Sequence, residues 1–235
     1  MKHVLLLIII IMFSRFNFGQ NASEYLNSGN IKVKSGNIKA AIQDYTKAIE
    51  LVPTIPKYYY SRGIAKRMMG DNKGAIIDLT QSIKMDPLYI EAILVRGTAY
   101  AKLGDFENAL ADFNKTIEID PFNAIAYHSR GLAKCEIQNY KGAILDFDKA
   151  LELNPKNSYS YYYRGLAKND LKDFSGAISD INKTIEFDPK NTDAYTFRGV
   201  IKLEIGDKNG ACSDWKIASD LGNVAAKNWL SEYCK

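Results

Sequence analysis

The 235-residue chain has no Gly/Ser linker, no acidic tail and no low-complexity run, so nothing in it marks a disordered spacer. It has little excess charge, with 31 Lys+Arg against 27 Asp+Glu. A nucleic-acid binder would show a basic face or a high domain pI, and that class is set aside. Long apolar runs are missing except at the start, where VLLLIIIIMF (Val4 to Phe13) follows Lys2 and His3. That run is too short for a bilayer, which takes about 20 residues. A positive start, a brief apolar core and a small residue beyond it describe a secretory signal peptide over residues 1–19, cleaved after Gly19. An uncleaved anchor is the alternative. Cleavage would remove Lys2 and Arg15 and no acid, bringing the charge to about +2. The remainder is expected to be soluble, without a membrane span, and exported to a bacterial periplasm, cell envelope or medium.

Histidine is almost absent. Beyond the leader only His128 is left, seven residues before Cys135 on one predicted helix. The two share a face but lie about 10 Å apart along the axis, too far for a nucleophile–base pair. There is no metal-ligand spacing, phosphate loop or nucleophile elbow. No catalytic residue, metal or cofactor is expected, and the chain does not read as an enzyme.

What the chain does have is a period. Glycines stand at 29, 63, 97, 131, 165 and 199, and alanines at 41, 75, 109, 143, 177 and 211. Asp44, Asp78, Asp112, Asp146, Asp180 and Asp214 keep the same step of 34, and prolines follow at 53, 87, 121, 155 and 189. Four residue types in one register give six copies of a 34-residue unit. Within a unit, Tyr127, Leu132, Ala133 and Ile137 recur near helical spacing, as do Ala143, Phe147, Ala150 and Leu151. The spacing predicts two helices joined by a short turn, often holding Gly (Gly36, Gly70, Gly104, Gly206), with the proline stopping the second helix.

Small residues such as Gly131 and Ala143 are expected opposite each other, where a larger side chain would overpack the crossing. Tyr45, Phe113, Phe147 and Trp215 (Leu79 and Ile181 in two units) would then fill the space toward the next unit. Arg62, Arg96, Arg130, Arg164 and Arg198 directly precede their glycines, whereas the first unit has Ser28. Each aspartate is expected to bond the arginine of the following unit, for example Asp112 with Arg130. Pairing within a unit is the rival, and separate solvated charges are a third reading.

The W-x2-L-G-x2-Y…A-x3-F…P plan, here with Tyr25, Tyr59, Tyr127, Tyr161 and Tyr195 in first place and Arg in place of Leu, resembles the tetratricopeptide repeat. The resemblance implies an all-α, right-handed α-solenoid of helix-turn-helix units over 20–223. Its units run at about 22–55, 56–89, 90–123, 124–157, 158–191 and 192–225. A capping helix at 224–235 would present Trp229, Leu230 and Tyr233 on its apolar side, since a solenoid must cover its last stacking face. Cys212 and Cys234 bracket this cap, and in an oxidising compartment they are expected to form a disulfide, two buried thiols being the alternative.

In this family the first helices line a groove that holds a peptide or a partner helix, so a protein partner or peptide segment is implied. The groove positions carried over are Leu26, Asn30 and Lys34, then Lys57, Tyr60, Ile64, Arg67 and Met68, then Glu91, Leu94, Thr98 and Lys102. Ile125, His128, Leu132, Cys135 and Glu136 follow, then Tyr159, Tyr162, Leu166, Asn169 and Asp170, and last Asp193, Thr196, Val200 and Glu204. Bases gather early in this series and acids late. The basic clamp with which some members hold a C-terminal carboxylate is missing, because Leu26 and Tyr60 stand in its place. The resemblance implies a non-catalytic scaffold. A tyrosine-rich groove leaves open a small-ligand or glycan-binding protein, or an accessory subunit of an envelope enzyme complex.

Overall fold

The computed structural model describes residues 20–234, and the expected leader lies outside them. The described residues form thirteen α-helices and no strand, the all-α class expected of the repeat. Their contacts gather into two bodies, one ending at Asp120 and one starting at Pro121. The first holds α1 (20–34), α2 (Ile38–Leu51), α3 (Pro56–Met68), α4 (Asn72–Met85), α5 (Ile90–Lys102) and α6 (Phe106–Ile119). The second holds α7 (Ala124–Glu136), α8 (Tyr140–Leu153), α9 (Ser158–Asp170), α10 (Phe174–Phe187), α11 (Thr192–Glu204), α12 (Lys208–Asp220) and α13 (Val224–Tyr233). Within each body every repeat is a helix hairpin stacked on the next, α4 against α5 and α8 against α9, for instance.

Polar side chains define the helix starts. Asn37, Asp71, Asp105, Asn139, Asp173 and Asp207 each cap the second helix of a repeat by accepting the backbone N–H three residues on. Just before these caps the chain turns through left-handed backbone. Gly36, Gly70, Gly104 and Gly206 take it as expected, but Gln138 and Lys172 do so in the fourth and fifth repeats, at φ 60° and 64°. A side chain in that region costs roughly 1 kcal/mol or more.

The six alanines of the period are fully buried. The glycines meet the alanine backbone in two repeats, Gly63 at Ala75 and Gly165 at Ala177, but their nearest neighbour is the large residue four positions further on. A Cβ on Gly131 would stand 2.8 Å from the Phe147 ring, and one on Gly165 would stand 3.0 Å from Ile181 Cδ1 and 3.3 Å from the Ala177 carbonyl oxygen. The small residue therefore admits the large one four positions beyond the alanine, inside the same hairpin. Phe147 also reaches the next repeat, where it stacks on Tyr163 at 6.5 Å between centroids.

The charged pairing also differs from expectation. Arg62 holds Asp78, Arg96 holds Asp112, Arg130 holds Asp146, Arg164 holds Asp180 and Arg198 holds Asp214, each through Nε and Nη2. The pairs thus close within a repeat, across one hairpin, rather than onto the following one. Asp44, which has no arginine in its repeat, is taken by Lys32 at 2.5 Å. A lysine one turn after the arginine binds the second oxygen of the same carboxylate, as in Lys66–Asp78, Lys134–Asp146, Lys168–Asp180 and Lys202–Asp214. The link between repeats is made instead by the remaining guanidinium nitrogen, from Arg62 to Thr46, Arg96 to Thr80, Arg164 to Asp148 and Arg198 to Asn182. Tyr59, Tyr127, Tyr161 and Tyr195 lie beside these guanidiniums at 5.3–5.9 Å, which gives the repeated tyrosine a structural role.

At the C-terminal end Gly222 turns the chain at φ 97° and Asn223 caps α13. Trp229 and Leu230 then pack on a core of Ala211, Trp215, Ala218 and Ala226, and Cys212 is bonded to Cys234 as expected. Two outcomes follow from these features. Gln138→Gly should raise stability by about 0.5–1 kcal/mol in denaturant titration, because the strain it removes exceeds the added freedom of the unfolded chain. Cys212→Ser/Cys234→Ser should lower stability by roughly 3 kcal/mol, the cost of reopening a loop of this length, read as a lower urea midpoint.

Candidate functional site

The first helix of each hairpin turns one face away from its partner helix. In the N-terminal body, Lys34, Lys57, Met68, Glu91 and Lys102 are exposed on this face, while Ile64 and Leu94 are half-buried. Tyr60 packs on Tyr89 with ring centroids 4.8 Å apart. Burial raises the Tyr60 hydroxyl pKa, helped by Glu91 and opposed by Arg67. Burial, with Tyr60 and Glu91 nearby, pushes Tyr89 up to about 12. Leu26 does not line the face: it is 8% exposed, in a core cluster with Ala22 and Ile49. Asn30 is turned inward to accept the Tyr45 hydroxyl at 2.8 Å, and Thr98 bonds its own helix at Val95.

In the C-terminal body, Ile125, Glu136, Tyr159, Asp170, Asp193 and Glu204 are exposed. Tyr162 is half-buried between Tyr163 (5.4 Å) and Phe197 (6.3 Å), and burial together with Asp193 pushes its hydroxyl up to about 12. His128 is drawn into the seam between repeats. Its Nδ1 lies 2.8 Å from the buried Ser160 hydroxyl, and its ring sits near Phe147 and Tyr163. Burial lowers its pKa. Thr196 bonds back to Thr192.

Leu132, Cys135, Glu136, Leu166 and Asp170 come together around a cleft of about 340 Å³. Gln138, Tyr140 and Tyr163 complete its wall, and none of these was legible as a groove position, because they lie off the face that the resemblance assigns. Burial, with Asp170 and Glu136 beside it, pushes the Cys135 thiol up to about 11, where it is a poor nucleophile at neutral pH. Desolvation, with the Asp170 carboxylate nearby, raises the Tyr140 hydroxyl pKa.

Two buried side-chain atoms among the described residues have no hydrogen-bond partner, Arg67 Nε and Asn169 Oδ1. Both side chains stand four residues after the repeat glycine, on the first-helix faces of the second and fifth repeats. One is an unused donor and the other an unused acceptor. No helix among the described residues is long and apolar enough to cross a membrane.

Residues 29–70 match the family described as TPR repeat, and residues 90–123 and 124–157 each match tetratricopeptide repeat. Among solved structures, the chain is 30% identical to MamA with a TM-score of 0.65, covering 70% of this chain and 96% of that one. PilF of Pseudomonas aeruginosa has a TM-score of 0.78 at 14% identity, covering 92% and 99%. YrrB, described as a TPR protein with an unusual peptide-binding site, has a TM-score of 0.65 at 18% identity, covering 80% and 97%. No curated protein matches at a significant level.

Proposed function

Because the chain belongs to the tetratricopeptide repeat family, we propose that it is an exported, non-catalytic scaffold that holds a protein or peptide segment on its first-helix faces. The observation that carries this reading is the pair of unpartnered buried atoms. A buried donor or acceptor left unpaired costs roughly 1–3 kcal/mol. Arg67 Nε and Asn169 Oδ1 sit at the same place in two repeats, one in each body, the first a donor that a bound carbonyl would satisfy and the second an acceptor that a bound N–H would satisfy. Tyr60 and Tyr162 stand seven residues before them on the same helices, about two turns away, as half-buried aromatics, the residue type that anchors binding hot spots. The fold is consistent with protein–protein interaction, and YrrB is a peptide-binding protein of the same fold. Export is supported by the leader-like pattern of residues 1–19 and by the Cys212–Cys234 disulfide, a bond that persists in oxidising compartments.

A crosslinking pull-down from envelope extract with the wild type and with Tyr60→Ala/Tyr162→Ala tests the reading, with circular dichroism to establish that the variant is folded. The expected result is a protein captured by the wild type and lost by the folded variant. Equal capture by both would place binding elsewhere on the molecule and refute the assignment to this face.

A further inference from the structure

The charges of the C-terminal body divide unevenly between its interior and its first-helix face. Helices α7, α9 and α11 carry Arg130, Lys134, Arg164, Lys168, Arg198 and Lys202. All six are engaged by the buried Asp146, Asp180 and Asp214 of the second helices. The acids of the same three helices are Glu136, Asp170, Asp193 and Glu204. Glu204 pairs with Lys172, and no ion pair among the described residues engages the other three. Asn169, beside Asp170, adds a buried acceptor without a donor. The unused polar capacity of this face is therefore acceptor capacity, and what satisfies it must donate hydrogen bonds or carry positive charge.

We propose that the cleft between α7 and α9 receives a basic side chain, lysine or arginine, of the segment held on this face. The proposal rests on the functional reading above and adds the chemistry of the partner. Leu132, Leu166 and Tyr163 give the cleft an apolar wall for a methylene stem, and Glu136 and Asp170 supply carboxylates for the head group. Tyr140 lines the same cleft as Asp170. An acidic side chain would be repelled, and an apolar one would leave both carboxylates unmatched. The corresponding face of the N-terminal body is mixed, with Lys34, Lys57 and Lys102 exposed alongside Glu91.

The cleft contains its own reporter. Cys135 lines it and is the free cysteine of the chain, since the other two are bonded together. Iodoacetamide alkylation of Cys135 in the full chain, followed by mass spectrometry, should be slowed by N-acetyl-arginine amide, about tenfold when the probe stands at ten times its Kd. N-acetyl-norleucine amide and N-acetyl-glutamate amide should not slow it at equal concentration. Glu136→Gln/Asp170→Asn, which alters two exposed side chains, should abolish the protection, and Lys190→Gln, an exposed change outside the face, should leave it intact. Equal protection by norleucine amide would overturn the proposal, making the cleft a plain apolar socket. Absence of protection by any probe would also overturn it. If the Tyr60- and Tyr162-dependent capture still held, the binding face would stand and only its assigned chemistry would fall. If that capture failed too, both would fall together.

Discussion

The aspartate clamp is the interaction on which the rest of the structure depends. Five of the six periodic aspartates, each 2–6% exposed, receive two parallel hydrogen bonds from an arginine one helix away. A buried carboxylate left alone would be strongly unfavourable, whereas the planar guanidinium matches both of its oxygens at once. The same arginine spends its third nitrogen on the preceding repeat and rests near a tyrosine ring. One side chain therefore sets the register within a hairpin and the step between hairpins. The glycine that follows it admits the large residue of the second helix, so charge pairing and apolar packing are fixed at neighbouring positions.

The clamp also shapes the face that meets solvent. It absorbs the cations of α7, α9 and α11 into the interior and leaves the outward carboxylates of those helices without them. In the N-terminal body the outward lysines lie beyond its reach, and that face keeps exposed basic groups. The same architectural device thus leaves different surface chemistry in the two bodies, because what remains outside depends on which neighbouring positions carry charge. Surface charge of this kind orients a partner and sets its encounter rate more than it sets raw affinity.

The 34-residue period made most of the fold legible, since the helix pairs and the turns between them follow from it, and the C-terminal cap and the disulfide were legible from the apolar side of residues 224–235 and from the positions of Cys212 and Cys234. The partners in the clamp were not legible. A periodic sequence offers Asp78 two arginines at comparable separations, Arg62 before it and Arg96 after it, and repetition cannot choose between them. The lack of an arginine in the first repeat pointed the wrong way, because Lys32 from the next turn of α1 reaches Asp44. Of the candidate face, Lys34, Lys57, Glu136, Tyr159, Asp170, Asp193 and Glu204 are exposed. Leu26 and His128 were misplaced because their neighbours in space, Ile49 and Ser160, are distant in sequence. Tyr140 and Gln138 were missed because the turn brings them to the cleft from outside the helix that carries its other residues.

A double-mutant cycle on Arg164 and Asp180 tests the central claim most directly. Stabilities of the wild type, Arg164→Ala, Asp180→Ala and the double variant would be read from urea denaturation. If the clamp organises the repeat, each single change should cost roughly 3 kcal/mol and the pair should show a coupling of about 2 kcal/mol, because the second change removes a charge already stranded by the first. Additive losses within about 0.5 kcal/mol would contradict it and would mean that apolar packing alone holds the hairpins in register.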